Sequence, residues 1–158
     1  MPLTYLSPPA DYREKERLYL EVRNREGRVL TDEALKQLPE VNAPAALARE
    51  WRWRKRTYER FDAYLNLHYP DRLVRVLDLG CGNGWMSNLL AMNQLRSVTA
   101  VDLNETELEQ GSRVFRRHNL QFAFGDALQG ALPENSFEVI VLAASVQYFP
   151  DLRELVAA

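Results

Sequence analysis

Cysteine and histidine are scarce in this sequence of 158 residues. The single cysteine, Cys81, excludes an internal disulfide framework and any metal site that needs several thiolates. The two histidines, His68 and His118, lie far apart, and neither has acidic or cysteine residues around it at the spacing of metal ligands. We therefore predict no metal site.

Long hydrophobic runs are also lacking. The longest apolar stretch, residues 137–144, is interrupted by Glu138 and is much shorter than the roughly 20 residues of a membrane-spanning helix. Residues 1–17 do not show a basic region followed by an apolar one, which a signal peptide would require. These features predict no membrane span and favour a cytoplasmic protein.

A strong charge of one sign is absent as well, because 20 basic side chains face 22 acidic ones and the net charge is −2. This balance gives no general attraction to nucleic acid or to an anionic membrane, so any such contact would have to be local. A local basic run, interleaved with Trp51 and Trp53, is the exception. Its members are Arg49, Arg52, Arg54, Lys55, Arg56 and Arg60. Such a run could bind nucleic acid, but on a helix its charges would spread over a solvated outer face, which is the interpretation we favour.

The chain is long enough for one domain with a substantial core, and its character changes near residue 72. Residues 1–71 show helical patterns punctuated by proline, with helices predicted at 11–24, 32–38 and 44–68. Thr31 is the expected N-cap of the second of these. We interpret this part as a helical N-terminal extension.

Residues 72–158 alternate between predicted strands and helices. The strands are predicted at 73–79, 97–103, 121–124 and 137–143, and the helices at 85–93, at 105–118 and from about residue 150. Such alternation is typical of a parallel sheet covered by helices, so the predicted fold class is α/β. Right-handed crossovers place the first strand centrally, and ligands of such sheets bind beyond the carboxyl ends of the strands.

The first predicted strand leads directly into VLDLGCGNG (76–84), which has glycines at alternate positions. Gly80, Gly82 and Gly84 allow the backbone to turn sharply and to approach a ligand closely. The spacing misses the dinucleotide pattern G-x-G-x-x-G, because Trp85 occupies its last position. Asp78 would oppose a phosphate and suits a ligand with an ammonium group instead.

Two further carboxylates close the next two predicted strands. Asp102 ends the second strand in AVDL, and Asp126 follows the third in FAFGDA. A carboxylate at the end of the second strand can accept hydrogen bonds from both ribose hydroxyls of a nucleoside that lies across the glycine turn. Asn104 fits the N-cap of the following helix better than Asp102 does, which supports this ribose role.

Together these motifs resemble the class I, Rossmann-like S-adenosylmethionine-dependent methyltransferases of the small-molecule type. VLDLGCGNG (76–84) is similar to their glycine motif, and AVDLN (100–104) to their ribose-binding segment. FGDA (124–127) resembles the adenine-side loop, and residues 132–152 resemble the motif around the fourth strand. The resemblance covers residues 72–158 and implies a three-layer fold with four strands in the order 3-2-1-4.

The resemblance also implies which residues bind the methionine part of S-adenosylmethionine. The backbone at Gly80, Cys81 and Gly82 would line this part, and Asp78 would lie near its amino group. Ala143, at the end of the fourth strand, would face the methionine moiety near the methyl group that is transferred.

On the nucleoside side, the resemblance implies that Asp102 holds the ribose and that Leu103 packs against the adenine. Asp126 would accept a hydrogen bond from the adenine amino group, and Ala127 would supply a backbone N–H. By the same resemblance, three tyrosines of the N-terminal extension would form part of a lid over the cofactor: Tyr5, Tyr12 and Tyr19.

Two departures from the family pattern carry further expectations. Similar enzymes have seven strands, whereas this sequence stops soon after the fourth, which implies a truncated version of a longer protein or a sheet completed by another chain. The strand at 137–143 would then be an apolar edge, which predicts self-association through it. LAASVQYF (142–149) also lacks the polar residue that many nitrogen methyltransferases carry there, so an oxygen or carbon acceptor is weakly favoured.

The predicted function is transfer of a methyl group from S-adenosylmethionine to a small-molecule, lipid or saccharide acceptor by direct displacement. Positioning supplies most of the rate in such a reaction, and the sequence offers no obvious general base. Two alternatives stay open. One is a non-catalytic methyltransferase-like binding module completed by a partner chain. The other is an NAD-dependent oxidoreductase, which Trp85 and Asp78 disfavour.

Overall fold

A computed structural model describes residues 3–41, 44–126, 129, 132–149, 151 and 153. The predicted site residue Ala127 lies outside these described residues. The described strands are β1 (Thr4–Tyr5), β2 (Val74–Leu79), β3 (Arg96–Asp102), β4 (Leu120–Phe124) and β5 (Val139–Val141). The helices are α1 (Arg13–Arg25), α2 (Asp32–Gln37), α3 (Ala45–His68), α4 (Trp85–Leu90) and α5 (Glu105–Val114). Short 3₁₀ turns at Pro9–Asp11 and Val146–Tyr148 complete the described elements.

The strands form one parallel sheet in the order β1-β4-β3-β2-β5. The four predicted strands correspond to β2, β3, β4 and β5, so the predicted order 3-2-1-4 is confirmed. The fourth of them is shorter than predicted, because β5 covers three residues. The parallel α/β class follows from the alternation of apolar strands with helices.

A fifth strand, β1, was not predicted. Thr4 pairs with Ala123 and Tyr5 with Phe124, and the Leu6 N–H donates to the Phe124 carbonyl at 2.7 Å. Two residues are too few to give a periodic signal, so only pairing with a distant strand shows that they are extended. This strand places the N-terminal segment beside the carboxyl end of β4.

The helix boundaries follow local capping chemistry. Thr31 caps α2, because its hydroxyl accepts the Ala34 N–H at 3.2 Å. Asn104 caps α5 in the same way by accepting the Glu107 N–H at 3.0 Å, as the sequence predicted. Helix α5 ends at Val114, earlier than the predicted 118.

The two faces of the sheet are covered differently. One face packs against α2, α3, α4 and α5 and forms the larger apolar core, in which Val76, Val98 and Phe124 are almost fully buried. On the other face, a smaller cluster around Leu77 and Val101 packs against residues of the chain ends and connecting segments. Among the described residues these are Leu6, Leu132, Phe137, Leu142 and Phe149. Because all the strands are parallel, their carboxyl ends lie along one edge of the sheet.

Candidate functional site

The glycine turn connects β2 to α4 and has left-handed backbone at all three glycines. Gly80, Gly82 and Gly84 have φ values of +69°, +55° and +72°, a region that side chains rarely adopt. The room for side chains is also missing, since a Cβ at Gly80 would overlap Ser145 and a Cβ at Gly84 would overlap the Phe122 ring. The sequence predicts a sharp turn at these glycines. The structure shows that close packing of Ser145 and Phe122 also requires glycine at two of the positions.

Ser145 is a site residue that sequence reasoning missed. Its side chain is buried, and its hydroxyl donates to the Leu79 carbonyl at 2.6 Å. This bond fixes the segment after β5 against the end of β2, opposite Gly80. A serine in a loop carries no sequence signal for such a contact, because the bond joins residues far apart in the chain.

Asp78 lies beneath the glycine turn and is almost fully buried. Its Oδ2 accepts a hydrogen bond from the Ser87 hydroxyl at 2.6 Å, whereas its Oδ1 has no partner among the described residues. Burial raises the pKa of Asp78 to about 6, and the nearby Asp102 charge acts in the same direction. A buried carboxylate oxygen without a donor is costly for the folded chain, and it fits a ligand that brings a cation.

Asp102 is joined directly to the glycine turn. Its Oδ2 accepts the Gly82 N–H at 2.7 Å, and its Oδ1 accepts the Asn104 N–H at 2.8 Å. Burial raises its pKa, while these backbone donors oppose that shift. The neighbouring Leu103 is partly buried and packs on the larger core. The carboxylate predicted to hold a ribose therefore lies within hydrogen-bond distance of the turn predicted to hold the methionine part.

Asp126, at the other end of the predicted site, contacts the N-terminal segment. Its carboxylate Oδ2 accepts a hydrogen bond from the Tyr12 hydroxyl at 3.2 Å, and its N–H donates to the Ser7 hydroxyl at 3.2 Å. Gln129 donates to the same Tyr12 oxygen at 2.8 Å. Burial and the Asp126 charge raise the pKa of Tyr12. The N-terminal segment thus reaches the carboxylate predicted to bind adenine.

Two predicted residues occupy less enclosed positions. Ala143 lies beyond the end of β5 and is exposed. Cys81 is half-buried, and its thiol donates to the Gly82 carbonyl at 3.5 Å. Burial and the neighbouring carboxylates raise the pKa of this thiol, which keeps it protonated and a poor nucleophile.

Glu107 is a second residue that sequence reasoning missed. It lies on α5, and a Cβ at Gly82 would come within 3.1 Å of its Oε2. Its Oε1 lies 3.8 Å from Nη2 of Arg23 on α1, and burial raises its pKa to about 7 although the arginine acts in the opposite direction. The Nε of Arg23 is buried without a partner among the described residues. Helix α1 therefore brings a cation close to the glycine turn.

Helix α1 also contacts the segment after β5. The Tyr19 ring packs edge-on against Tyr148, with 6.1 Å between the ring centroids, and the Arg23 guanidinium lies over the Tyr19 ring at 5.6 Å. Together with the Tyr12 contact to Asp126 and a 2.7 Å bond from the Tyr5 hydroxyl to Glu105, these contacts place all three N-terminal tyrosines along the edge formed by the strand ends.

An open groove of about 960 Å³ lies away from these residues. It is formed by the turn after α1 and the first turns of α3, and its lining includes Gly27, Leu47, Arg49 and Trp53. None of the predicted site residues contributes to it. Within the described residues, no group of three or more metal-binding side chains comes together, and no helix there has the length and apolarity needed to cross a membrane.

Comparison with known proteins bears on the glycine turn and the strands that follow it. A family model described as a methyltransferase domain matches residues 76–158, slightly more than half of the chain. The matched region begins within β2 and includes Asp78, the three glycines, Asp102 and Asp126. It leaves out the N-terminal extension.

Curated relatives of modest identity match somewhat more than half of the chain. An uncharacterized methyltransferase from Mycobacterium bovis is 30% identical over 93 residues, which make up 59% of this chain and 47% of that protein. A 27-O-demethylrifamycin SV methyltransferase from Amycolatopsis mediterranei is 30% identical over 100 residues, or 61% of this chain and 36% of that protein. The chain thus spans half or less of the length of these two relatives.

A solved structure shares the fold. An S-adenosylmethionine-dependent methyltransferase from Thiobacillus denitrificans, in complex with S-adenosyl-L-homocysteine, superimposes with a TM-score of 0.54 and 19% identity. The match covers 82% of this chain and 49% of that one. At this level of identity the likeness concerns the fold alone.

Proposed function

We propose a function from the premise that this chain belongs to the methyltransferase domain family: it binds S-adenosylmethionine and transfers the methyl group to a small-molecule acceptor. The family match confirms the predicted resemblance to class I methyltransferases and goes against the NAD-dependent oxidoreductase. Because the chain spans only part of its relatives, the activity and its substrate are our inference. A cytoplasmic location belongs to the same proposal.

The observation that carries the proposal lies beneath the glycine turn, where Oδ1 of Asp78 has no hydrogen-bond partner among the described residues. An amino acid ammonium group would supply the missing donor, directly or through one water molecule. The same group would oppose the effect of burial on the pKa of this carboxyl. A phosphate would face the carboxylate without any such compensation, which disfavours a dinucleotide.

The nucleoside end of the proposed site is supported by Asp102 and Asp126. Each oxygen of Asp102 accepts one backbone N–H and keeps a further lone pair, which leaves capacity for ribose hydroxyls. Asp126 accepts a hydrogen bond from the Tyr12 hydroxyl, which shows that its carboxylate can accept the kind of bond that an adenine amino group would donate. Leu103, beside Asp102, would offer apolar surface to the base.

When bound, S-adenosylmethionine supplies an electrophilic methyl group on a sulfonium centre. The chain's own contribution is to orient this ligand through the left-handed glycine turn and the two aspartates, so that an acceptor can approach in line. Tyr19 and Tyr148 close the edge between α1 and the segment after β5, which would exclude water from the ligand. We assign no general base.

The proposed acceptor is a small molecule. The Amycolatopsis relative methylates 27-O-demethylrifamycin SV, according to its name, which supports a small-molecule acceptor for this chain as well. Lipids and saccharides belong to the same proposed class. Oxygen or carbon acceptors stay weakly favoured, because no polar side chain is present at positions 142–144.

The proposal is tested by calorimetric titration of the protein with S-adenosylhomocysteine. We expect saturable binding, and we expect Asp102→Asn to weaken it by about 1.5–3 kcal/mol through loss of charge-assisted hydrogen bonds. Asp71→Asn is the matched control, since Asp71 is exposed and lies outside the site. Binding of NADH with no response to S-adenosylhomocysteine would overturn the proposal.

Methyl transfer itself needs a separate measurement. Transfer of labelled methyl from S-adenosylmethionine to a panel of hydroxylated small molecules would support an enzyme. Cofactor binding without transfer to any member, together with self-association on a sizing column, would favour the non-catalytic module. The exposed Ile140 on strand β5 supports this second function, because it offers apolar surface to a partner chain at the end of the described sheet.

A further inference from the structure

The outer side of α3 has a composition that methyl transfer does not require. Helix α3 has 24 residues, about 36 Å at 1.5 Å per residue. At 3.6 residues per turn, one side of it displays four arginines together with three large apolar or aromatic residues. We call this side the arginine face; it consists of Arg49, Arg52, Arg56, Arg60, Trp53, Tyr64 and Leu67, all exposed.

None of the four arginines of this face has an ion-pair or hydrogen-bond partner in the described part of the chain. The other two cations of the predicted basic run do have partners: Arg54 pairs with Glu50 at 2.6 Å, and Lys55 pairs with Glu40. The arginine face thus keeps the uncompensated part of the run. On a chain of net charge −2, this is a local concentration of positive charge.

The acidic residues of α3 lie outside the arginine face. Glu50 pairs with Arg28 at 2.8 Å as well as with Arg54, and Asp62 pairs with the buried Arg96. Glu59, at the border of the face, lies 4.0 Å from Lys55. Among the described residues, no carboxylate of α3 therefore lies on the arginine face itself.

The apolar members of the face are unusually exposed for their size. The exposed fractions are 64% for Trp53, 53% for Tyr64 and 75% for Leu67. At the carboxyl end of α3, Asn93 donates to Asn66 at 3.1 Å and ties in the loop after α4, in which Met92 is also exposed. Apolar surface and positive charge are thus combined on one side of the domain.

From this combination we infer that the arginine face docks the protein on the surface of an anionic phospholipid bilayer. Arginines attract acidic headgroups, and their long side chains can extend toward the phosphates while the helix lies in the interface. Burial of tryptophan, tyrosine and leucine side chains in the same interface is favourable, because their apolar surface leaves water. Nucleic acid would use the arginines but would leave the aliphatic Leu67 in water.

The test is sedimentation of the purified chain with large vesicles of phosphatidylcholine alone or of equal parts phosphatidylcholine and phosphatidylglycerol. We expect binding to the anionic vesicles only, and weaker binding at about 0.3 M salt, where charges are screened beyond roughly 6 Å. Equal binding to both vesicle types, or to neither, would overturn the inference.

Variants separate this face from the overall charge of the chain. Because each basic residue near an anionic surface contributes about fivefold, the triple variant Arg52→Gln, Arg56→Gln, Arg60→Gln should lower the partition coefficient roughly 100-fold. The matched control changes three exposed arginines elsewhere, Arg13, Arg25 and Arg116, to glutamine. An equal loss in the control would show a general charge effect and would refute the arginine face.

A second pair of variants separates membrane docking from nucleic-acid binding. Trp53→Ser with Leu67→Ser should weaken vesicle binding about tenfold, because these side chains lose their apolar contact with the bilayer. Leu18→Ser with Val29→Ser is the control, since both residues are apolar, exposed at 50% and 55%, and lie on other segments. Binding to a duplex oligonucleotide that depends on the arginines but not on Trp53 or Leu67, with no vesicle binding, would overturn the inference.

Discussion

The glycine turn and the arginine face both carry charges that the chain leaves largely uncompensated, but in opposite surroundings. Beneath the turn, Asp78 is buried with one oxygen that has no partner in the described structure, and Glu107 is buried at 3.8 Å from Arg23. On α3, the four arginines are exposed to water. Burial raises the pKa of both acids, to about 6 and about 7, which means that their charged forms are costly there.

This difference shows how an unpaired charge should be interpreted. A buried carboxylate without a donor lowers the stability of the free protein, so its presence points to a ligand that completes it. An exposed arginine costs little by itself, so a single one carries no such meaning. The four arginines indicate a binding surface because they share one side of the helix and have exposed apolar residues among them.

The largest effect is expected where the buried region is most tightly packed. Gly80→Ala should lower the free energy of unfolding by about 3 kcal/mol, because it combines left-handed backbone with overlap against Ser145. Gly27→Ala is the control, since Gly27 has φ +64° but no atom within 4 Å of an added Cβ. It should cost about 1 kcal/mol from backbone strain alone. If urea unfolding shows equal losses of free energy in the two variants, Ser145 does not pack closely against Gly80.

Asp78→Asn should separate stability from binding. At pH 7 the free variant should be more stable by about 1–2 kcal/mol, because the buried charge is removed while an oxygen stays available to the Ser87 hydroxyl. The same variant should bind S-adenosylhomocysteine at least tenfold more weakly. Thermal unfolding and calorimetry measure the two quantities, and a variant that is both less stable and unimpaired in binding would contradict our account of Asp78.

The pH dependence of binding should follow the pKa of Asp78. The pKa of this acid is raised to about 6 in the folded chain, so the stability that it contributes is present at low pH and is lost as pH rises through about 6. An ammonium ligand prefers the ionised form, so affinity should fall as pH falls through the same range. Burial also raises the pKa of Asp102, and it raises that of Glu107 to about 7. The contribution of Asp78 is therefore the part of the pH profile that Asp78→Asn removes. If the variant has an unchanged profile, Asp78 does not determine the pH dependence of binding.

The smallest effect is expected on the exposed side of the comparison. Arg56→Gln should change the free energy of unfolding by less than about 0.5 kcal/mol, because the side chain has no partner in the described residues to lose. Arg96→Gln provides the contrast, since Arg96 is buried and paired with Asp62. It should cost about 3 kcal/mol. A large loss for Arg56→Gln in chemical unfolding would show that the arginine face has a structural role inside the domain.

Much of the fold could be predicted because it depends on local patterns. Apolar strands followed by helices gave four strands in the observed order, and side-chain caps at Thr31 and Asn104 marked two helix starts. The glycine turn and Asp102 were predicted close together, since both follow parallel strands that end at one edge of the sheet. Their assigned roles in binding stay predictions.

Other features could not be predicted because they join residues distant in sequence. Strand β1 exists only through its pairing with β4. Ser145 contacts Leu79, and Arg23 approaches Glu107, without any local signal in either segment. These contacts depend on where α1 and the segment after β5 pack, which composition and periodicity do not specify.

The sequence by itself determined the parallel α/β sheet, the left-handed turn at its centre and the family, because strand pattern, glycine spacing and strand-end carboxylates are properties of short segments. Only the tertiary structure decided which charges find partners. Within the described part of the chain, it pairs Arg54 and Lys55 but not the four arginines beside them, and it buries Asp78 with one oxygen unpartnered. Burial and pairing arise from long-range packing, and they determine which charges are left for a ligand or a surface.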